Sequence, residues 1–220
     1  MKIRSFIFES TNEVRMHIAE GVLPWPILAA GGALTAAGTA IGLKSVDYDR
    51  IMTVAMLSAA FFVGSLVHVP VMGTSAHLVL GGLLGIILGW AAFPAILVAL
   101  LLQAVLFQFG GLTTLGVNTF NMAAPAVLCH YLFRPLLASE NVKVRNVSAF
   151  AFGFLALLLS ALLTAGSLAL TEGFLTAAAA LLVSHVAVMV VEGFVTMFAF
   201  GFLARVKPEV IQAVYRTQHS

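Results

Sequence analysis

Six histidines stand in a chain of 220 residues that has only 9 acidic side chains and one cysteine, which makes imidazole the main candidate for chemistry. His17 is set apart from the others by Met16 before it. If Met16 is the first residue of the working protein, its free amine, the His17 amide nitrogen and the His17 ring Nδ1 can close fused five- and six-membered chelate rings on one metal. A nitrogen from the ring of His77 would complete a planar set, a geometry that favours Ni(II) or Cu(II) and can serve Co(II). The amide has to lose its proton, which Ni(II) promotes and Zn(II) or Mg(II) do poorly, so binding should weaken in acid. Inside a longer chain the same Met-His dipeptide loses its amine and has no special power. His68, beside Val69 and Pro70, is a reserve ligand.

The remaining histidines read differently. His130 lies close to Arg134, at the level expected for lipid headgroups, and His219 is in the tail. His185 shares a helix face with Met189 and Glu192, at spacings of four and seven residues, so a His-Glu contact inside a bundle is expected. Those groups also define a rival reading. A proton-coupled permease or membrane-embedded enzyme would bring His185, Glu192 and His130 together at mid-membrane. The single Cys129 supports neither a disulfide nor a thiolate cluster. Residues 38 to 45 (GTAIGLKS) only mimic a phosphate-binding loop, because Leu43 stands where glycine must precede the lysine. Any ATP-driven step would need another chain.

The elements that position these residues follow from composition. Apolar residues make up 61% of the chain, charged residues 9%, and mean hydropathy is +1.06. Soluble domains average about 25% charged residues, so a water-soluble globule is excluded and an all-α polytopic membrane protein is expected. The net charge of +2 gives no reason to expect a nucleic-acid partner. Apolar runs predict about seven transmembrane helices, near residues 26 to 43, 51 to 69, 77 to 91, 93 to 109, 117 to 134, 147 to 169 and 174 to 203. The third is short and could dip only part-way. With seven spans, Lys44, Arg50, Arg134, Lys143, Arg145, Arg205, Lys207 and Arg216 all fall on one side, which places the N-terminus outside and the C-terminus in the cytoplasm.

Lys2, Arg4 and Arg15 oppose that orientation. Residues 1 to 15 are polar and lack a signal-peptide core. They are therefore expected to be a misplaced start or a segment that is removed, leaving 16 to 220 as a single transmembrane domain. In the first span Ala29, Ala33 and Ala37 form one row of small residues and Gly32, Ala36 and Ala40 another. Such rows let a helix approach closely, from the same chain or from a partner.

The segments MHIAEGVLPW (16 to 25), VHVPVMGTSAHLVLGGLLGIILG (67 to 89), LLQAVLFQFGGLTTLGVNTFNMAAPA (101 to 126) and EGFVTMFAFGFLARVKPEVI (192 to 211) carry a resemblance. Together they resemble the cobalt/nickel substrate-binding membrane component, CbiM/NikM, of energy-coupling factor transporters. The likeness runs through nearly all of the chain from Met16 onward; only residues 1 to 15 depart from the family pattern. It implies a seven-helix bundle whose mature N-terminus plugs an outward-facing cavity. It also implies a metal held at Met16, His17 and His77, with Thr74, Ser75, Thr114 and Asn118 lining the pocket. The implied role is capture of Ni(II) or Co(II) as transported substrate, without a cofactor and without enzymatic activity. The implied partners are a transmembrane coupling protein, two cytoplasmic ATPases and a small accessory membrane protein, in the bilayer of a bacterial inner membrane. Nickel and cobalt both accept these nitrogens, so the choice between them stays open.

Overall fold

The computed structural model describes residues 17–46, 48–66, 68–71 and 74–209. Among these residues the chain forms seven α-helices and one short hairpin. Helix α1 is Trp25–Lys44 and α2 is Ile51–Leu66. The hairpin pairs β1, His68–Val71, with β2, Thr74–His77. Then come α3, Gly81–Leu88, and α4, Ala92–Phe107, joined by a single 3-10 turn over Gly89–Ala91. Helices α5, Leu115–Leu137, α6, Val142–Ala169, and α7, Leu175–Val206, complete the bundle.

Among the described residues four stretches are, by length and composition, long and apolar enough to cross a bilayer: Trp25–Lys44, Gly81–Phe107 (α3 and α4 taken together), Val142–Ala169 and Leu175–Val206. Helix α2 is apolar but has only 16 residues. Helix α5 has 23 residues and buries a polar row, Asn118, Thr119 and Asn121, which lowers its hydropathy without exposing it to lipid. Large apolar side chains cover the outer surface: Phe194, Phe198 and Phe202 of α7 are all well exposed, as are Val183 and Leu128. A surface of that kind is satisfied by lipid, not water.

Two expectations change. The second span, expected to run to residue 69, ends as a helix at Leu66 and gives way to the antiparallel hairpin, with His68 opposite His77 and Pro70 opposite Ser75. Proline donates no ladder hydrogen bond and is tolerated because each strand of a two-stranded sheet is an edge. The third span, expected at 77 to 91 as a short run able to dip only part-way, narrows to α3, whose 8 residues are all buried. At 1.5 Å per residue it extends only about 12 Å, too little to cross, and it enters the bundle instead of spanning it.

The seam between α1 and the bundle also differs in residue choice. Gly31, Thr35, Gly38 and Gly42 face inward, while Ala29, Ala33 and Ala37 are exposed. A Cβ on Gly31 would lie 2.4 Å from Val117 Cγ2, and one on Gly116 would lie 2.7 Å from the Gly32 Cα. Backbones of α1 and α5 therefore touch directly, and the Thr35 hydroxyl donates to the Gly116 carbonyl at 2.6 Å. The stretch that mimics a phosphate loop is part of α1, with Gly38 against Phe93 and Gly42 against Trp90 and Pro94.

Contacts of this kind fix the direction of each helix. Residue 31 meets 117, residue 42 meets 94, Ser58 donates to the Ala95 carbonyl, and a Cβ on Gly85 would meet Ala126. Residues 17–24, the hairpin and the 108–114 loop consequently gather at one end of the bundle. Lys44, Arg50, Arg134, Lys143, Arg145, Arg205 and Lys207 belong to the opposite end.

Candidate functional site

The polar centre at the non-basic end is built on the first turn of α5. Residues 17–23 do not form a helix. They run as a strap across the bundle, anchored by Ile18 and Leu23, which are 3% and 6% exposed. Burying such side chains stabilises by about 1.5–3 kcal/mol each, but it leaves backbone groups that need partners. Asn118 supplies them on both sides of one residue. Its Oδ1 accepts from the Ile18 amide at 3.0 Å, and its Nδ2 donates to the Ile18 carbonyl at 3.1 Å. The Thr114 hydroxyl donates to that same carbonyl at 2.8 Å. Both side chains are buried, Asn118 at 5% exposure and Thr114 at zero, so in effect they read the strap's backbone.

Loop 108–114 closes over the strap. Gly110 has φ of 77°, a conformation that costs glycine little. A Cβ there would sit 3.2 Å from Asn118 Nδ2 and 3.5 Å from the His17 Cβ, so the glycine also provides clearance. Gly111 is crowded by Glu20: a Cβ would approach the Glu20 Cγ to 2.4 Å. The Glu20 carboxylate accepts from the Thr113 amide at 3.1 Å and from the Thr113 hydroxyl. The Thr113 hydroxyl, then its amide, hold the Glu20 carboxyl below the usual carboxylate range. His17 is buried at the inner end of the strap.

The expected site residues fall into three groups. His17, Thr114 and Asn118 come together. Thr74, Ser75 and His77 lie on β2, and His68 pairs with His77 across the hairpin at the same end of the bundle. Met16 lies outside the described residues, as does His219. Among the described residues no three His, Cys, Asp or Glu side chains gather as a metal-binding group. A chelate built from an amine, an amide and a ring does not need such a gathering. The sequence reading missed Ile18, whose contribution is its backbone, and the Glu20–Thr113 contact. Glu20 in MHIAEG and Thr113 beside Thr114 were visible in the motifs, but no sequence rule pairs residues 93 apart.

The rival grouping is not formed. His130 Nδ1 donates to the Gly85 carbonyl at 2.9 Å, and His185 Nδ1 donates to Leu181 of its own helix at 2.7 Å. The expected His185–Glu192 contact is replaced by one between Glu192 and the Val79 amide at 3.2 Å. Each group has a separate partner because each faces a different neighbour of α3 or its own helical turn.

A helical membrane bundle whose N-terminal strap is bound into one end, opposite a basic end, is the class defined by this geometry. Residues 17–210 match the family model described as the cobalt uptake substrate-specific transmembrane region, CbiM. The chain belongs to that family. It is 53% identical over 125 residues to a "putative metal transport protein" of Haemophilus influenzae, a match covering 57% of this chain and 61% of that one. It is 29% identical over 205 residues to the "putative fused nickel transport protein NikMN" of Archaeoglobus fulgidus, covering 90% of this chain and 68% of the other. The chain thus spans less than two thirds of the length of the first of these relatives. A solved structure described as a transition metal transporter superposes with a TM-score of 0.74 at 29% identity, over 92% of this chain and 99% of the other.

Proposed function

We propose that this protein is the substrate-capturing membrane component of an ATP-driven Ni(II) or Co(II) importer. The metal is its cargo, held at the outer face by the Met16 amine, the His17 amide and ring, and the His77 ring. Residues 1–15 are absent from the working form, so that Met16 carries the amine. The carrying observation is the strap: Asn118 and Thr114 fix the Ile18 backbone and Glu20 grips Thr113, which holds the residue after Met16 buried at the hairpin's end of the bundle. Thr74 and Ser75, three and two residues before His77, orient the loop ligand.

The seven described basic residues at the far end support an orientation with that end in the cytoplasm. ATP hydrolysis belongs to two cytoplasmic ATPases, linked through a transmembrane coupling protein, and a small accessory membrane protein completes the complex. The outward row Ala29, Ala33 and Ala37 on α1 suits close approach by a helix of the coupling protein. The complex resides in the bacterial inner membrane.

The experiment is metal titration of the purified protein in detergent, with its N-terminus confirmed as Met16 by sequencing. His17→Ala and His77→Ala should each abolish high-affinity Ni(II) or Co(II) binding. Titrations identical to wild type in both variants reject the site.

A further inference from the structure

Helix α3 is the unusual element: a helix of 8 residues, buried throughout and packed against α5, α6 and α7. The first amides of any helix lack intrahelical partners. Serine, threonine or asparagine normally caps them, but Leu80 occupies the N-cap here, at φ of 52°, and offers no polar side chain. Glu192, reaching in from α7, meets the chain just ahead of this N-terminus. Its Oε2 accepts from the Val79 amide at 3.2 Å.

Small residues make the approach possible. A Cβ on Gly82 would lie 2.4 Å from the Thr196 hydroxyl and 2.7 Å from the Gly153 Cα, so α3 and α6 meet backbone to backbone at this level and the Thr196 side chain of α7 packs against both. At the other end of α3 the polarity is reversed. The Gly85 and Ile87 carbonyls accept from the His130 ring and from the Arg50 guanidinium, each at 2.9 Å. A carboxylate at the N-terminus and a guanidinium at the C-terminus match the helix dipole. Glu192 is 1% exposed, and its Oε1 has no hydrogen-bond partner among the described residues. The Val79 amide is the partner that offsets part of the cost of burying this carboxylate.

Val79 lies two residues beyond His77, where β2 leaves the hairpin, and β2 itself packs between α2 and α7. We infer that Glu192 is a positioning residue for metal capture: by gripping the Val79 amide at the entrance of α3, it fixes the exit of the hairpin and so the placement of His77. The inference rests on the His17–His77 reading proposed above.

The test compares Glu192→Gln, Glu192→Asp and Glu192→Leu with wild type and His77→Ala, starting from Met16. Ni(II) affinity is measured by competition with a chelator, the Ni(II) absorption band at saturation, and amide hydrogen exchange over residues 78–82 without metal. Glutamine keeps an acceptor oxygen at the same reach and should bind within about threefold of wild type. Aspartate, one methylene shorter, should bind about tenfold more weakly, and leucine about a hundredfold. The absorption band at saturation should stay at the wild-type position in all three, because no ligand is lost, and exchange over 78–82 should rise in the order Gln, Asp, Leu. Wild-type affinity in a folded Glu192→Leu protein overturns the inference while leaving the metal site standing. If leucine prevents folding, wild-type affinity and exchange in Glu192→Asp overturn it equally. Loss of the metal reading is recognised separately, by wild-type binding in His77→Ala. In that case the exchange data still decide whether Glu192 clamps α3, and unchanged exchange refutes the clamp itself.

Discussion

Asn118→Ala is the perturbation that tests the strap most directly, because the structure separates what each of its hydrogen bonds is worth. Removing the side chain takes away the Ile18 amide's acceptor at 3.0 Å and one of the two donors to the Ile18 carbonyl. The carbonyl remains satisfied by Thr114 at 2.8 Å. The amide, on a residue only 3% exposed, is left unpaired. A buried donor without a partner costs about 1–3 kcal/mol, whereas an ordinary neutral hydrogen bond contributes about 0.5–1.5 kcal/mol net. The mutation should therefore weaken strap docking by about 2 kcal/mol, and Thr114→Val by about 1 kcal/mol or less because Asn118 still serves the carbonyl.

Docking feeds into metal affinity through the population of the binding-competent state. A penalty of about 2 kcal/mol corresponds to about thirtyfold in apparent Kd, a ceiling reached when the variant's strap is mostly undocked. The assay is Ni(II) or Co(II) competition titration of Asn118→Ala, Thr114→Val and wild type beginning at Met16, with circular dichroism confirming equal helix content. The expected order is wild type, then Thr114→Val within about fivefold, then Asn118→Ala about thirtyfold weaker. Wild-type affinity in a folded Asn118→Ala protein, or a larger loss from Thr114→Val than from Asn118→Ala, refutes the reasoning.

Glu20 sets an acid limit on the strap. Its folded pKa is depressed, so its contribution is complete above the ordinary carboxylate pKa and disappears as pH falls through the lower folded value. Limited proteolysis of metal-free protein should find strap protection declining only in acid stronger than that which titrates free carboxylates. Glu20→Gln should lose that acid step, with less than about fivefold change at neutral pH because the carboxylate is exposed. Fusing a tag ahead of Met16 should abolish metal binding, and protease removal that regenerates the Met16 amine should restore it; tight binding with the tag in place would show that the amine is dispensable. At the helix seam, Gly116→Ala should destabilise the bundle by about 1–3 kcal/mol through overpacking. Gly32→Ala, whose Cβ meets nothing within 4 Å, should be neutral. Equal thermal midpoints for the two variants would contradict the backbone contact of α1 with α5.

What could be read from the chain without coordinates divides along a physical line. Lipid-facing character is a property of composition, so the apolar runs located the helices, and the lack of Lys and Arg in alternate loops located the basic end. The Thr-Thr-Leu-Gly-x-Asn segment likewise pointed to Thr114 and Asn118. The shortness of the third run already marked it as able to dip only part-way, but its burial was illegible, because hydropathy cannot tell a helix immersed in lipid from one immersed in protein: Gly81–Leu88 is as apolar as any span, yet all of it lies inside the bundle. The same blindness affected α1, where the row Ala29, Ala33 and Ala37 and the row Gly32, Ala36 and Ala40 looked equivalent. Only the crossing with α5, where Gly116 meets Gly32, decides that Gly31, Thr35, Gly38 and Gly42 turn inward while Ala29, Ala33 and Ala37 are left facing out. Glu192 was misread for a related reason. On its own helix the visible partner is His185, seven residues away, but a buried carboxylate is stabilised best by several amide donors held in place. The donor it meets, the Val79 amide, lies 113 residues earlier, at the entrance of the short third span. The residues hardest to infer were thus the ones whose role is to satisfy another segment's backbone, since a backbone group carries no letter in the sequence.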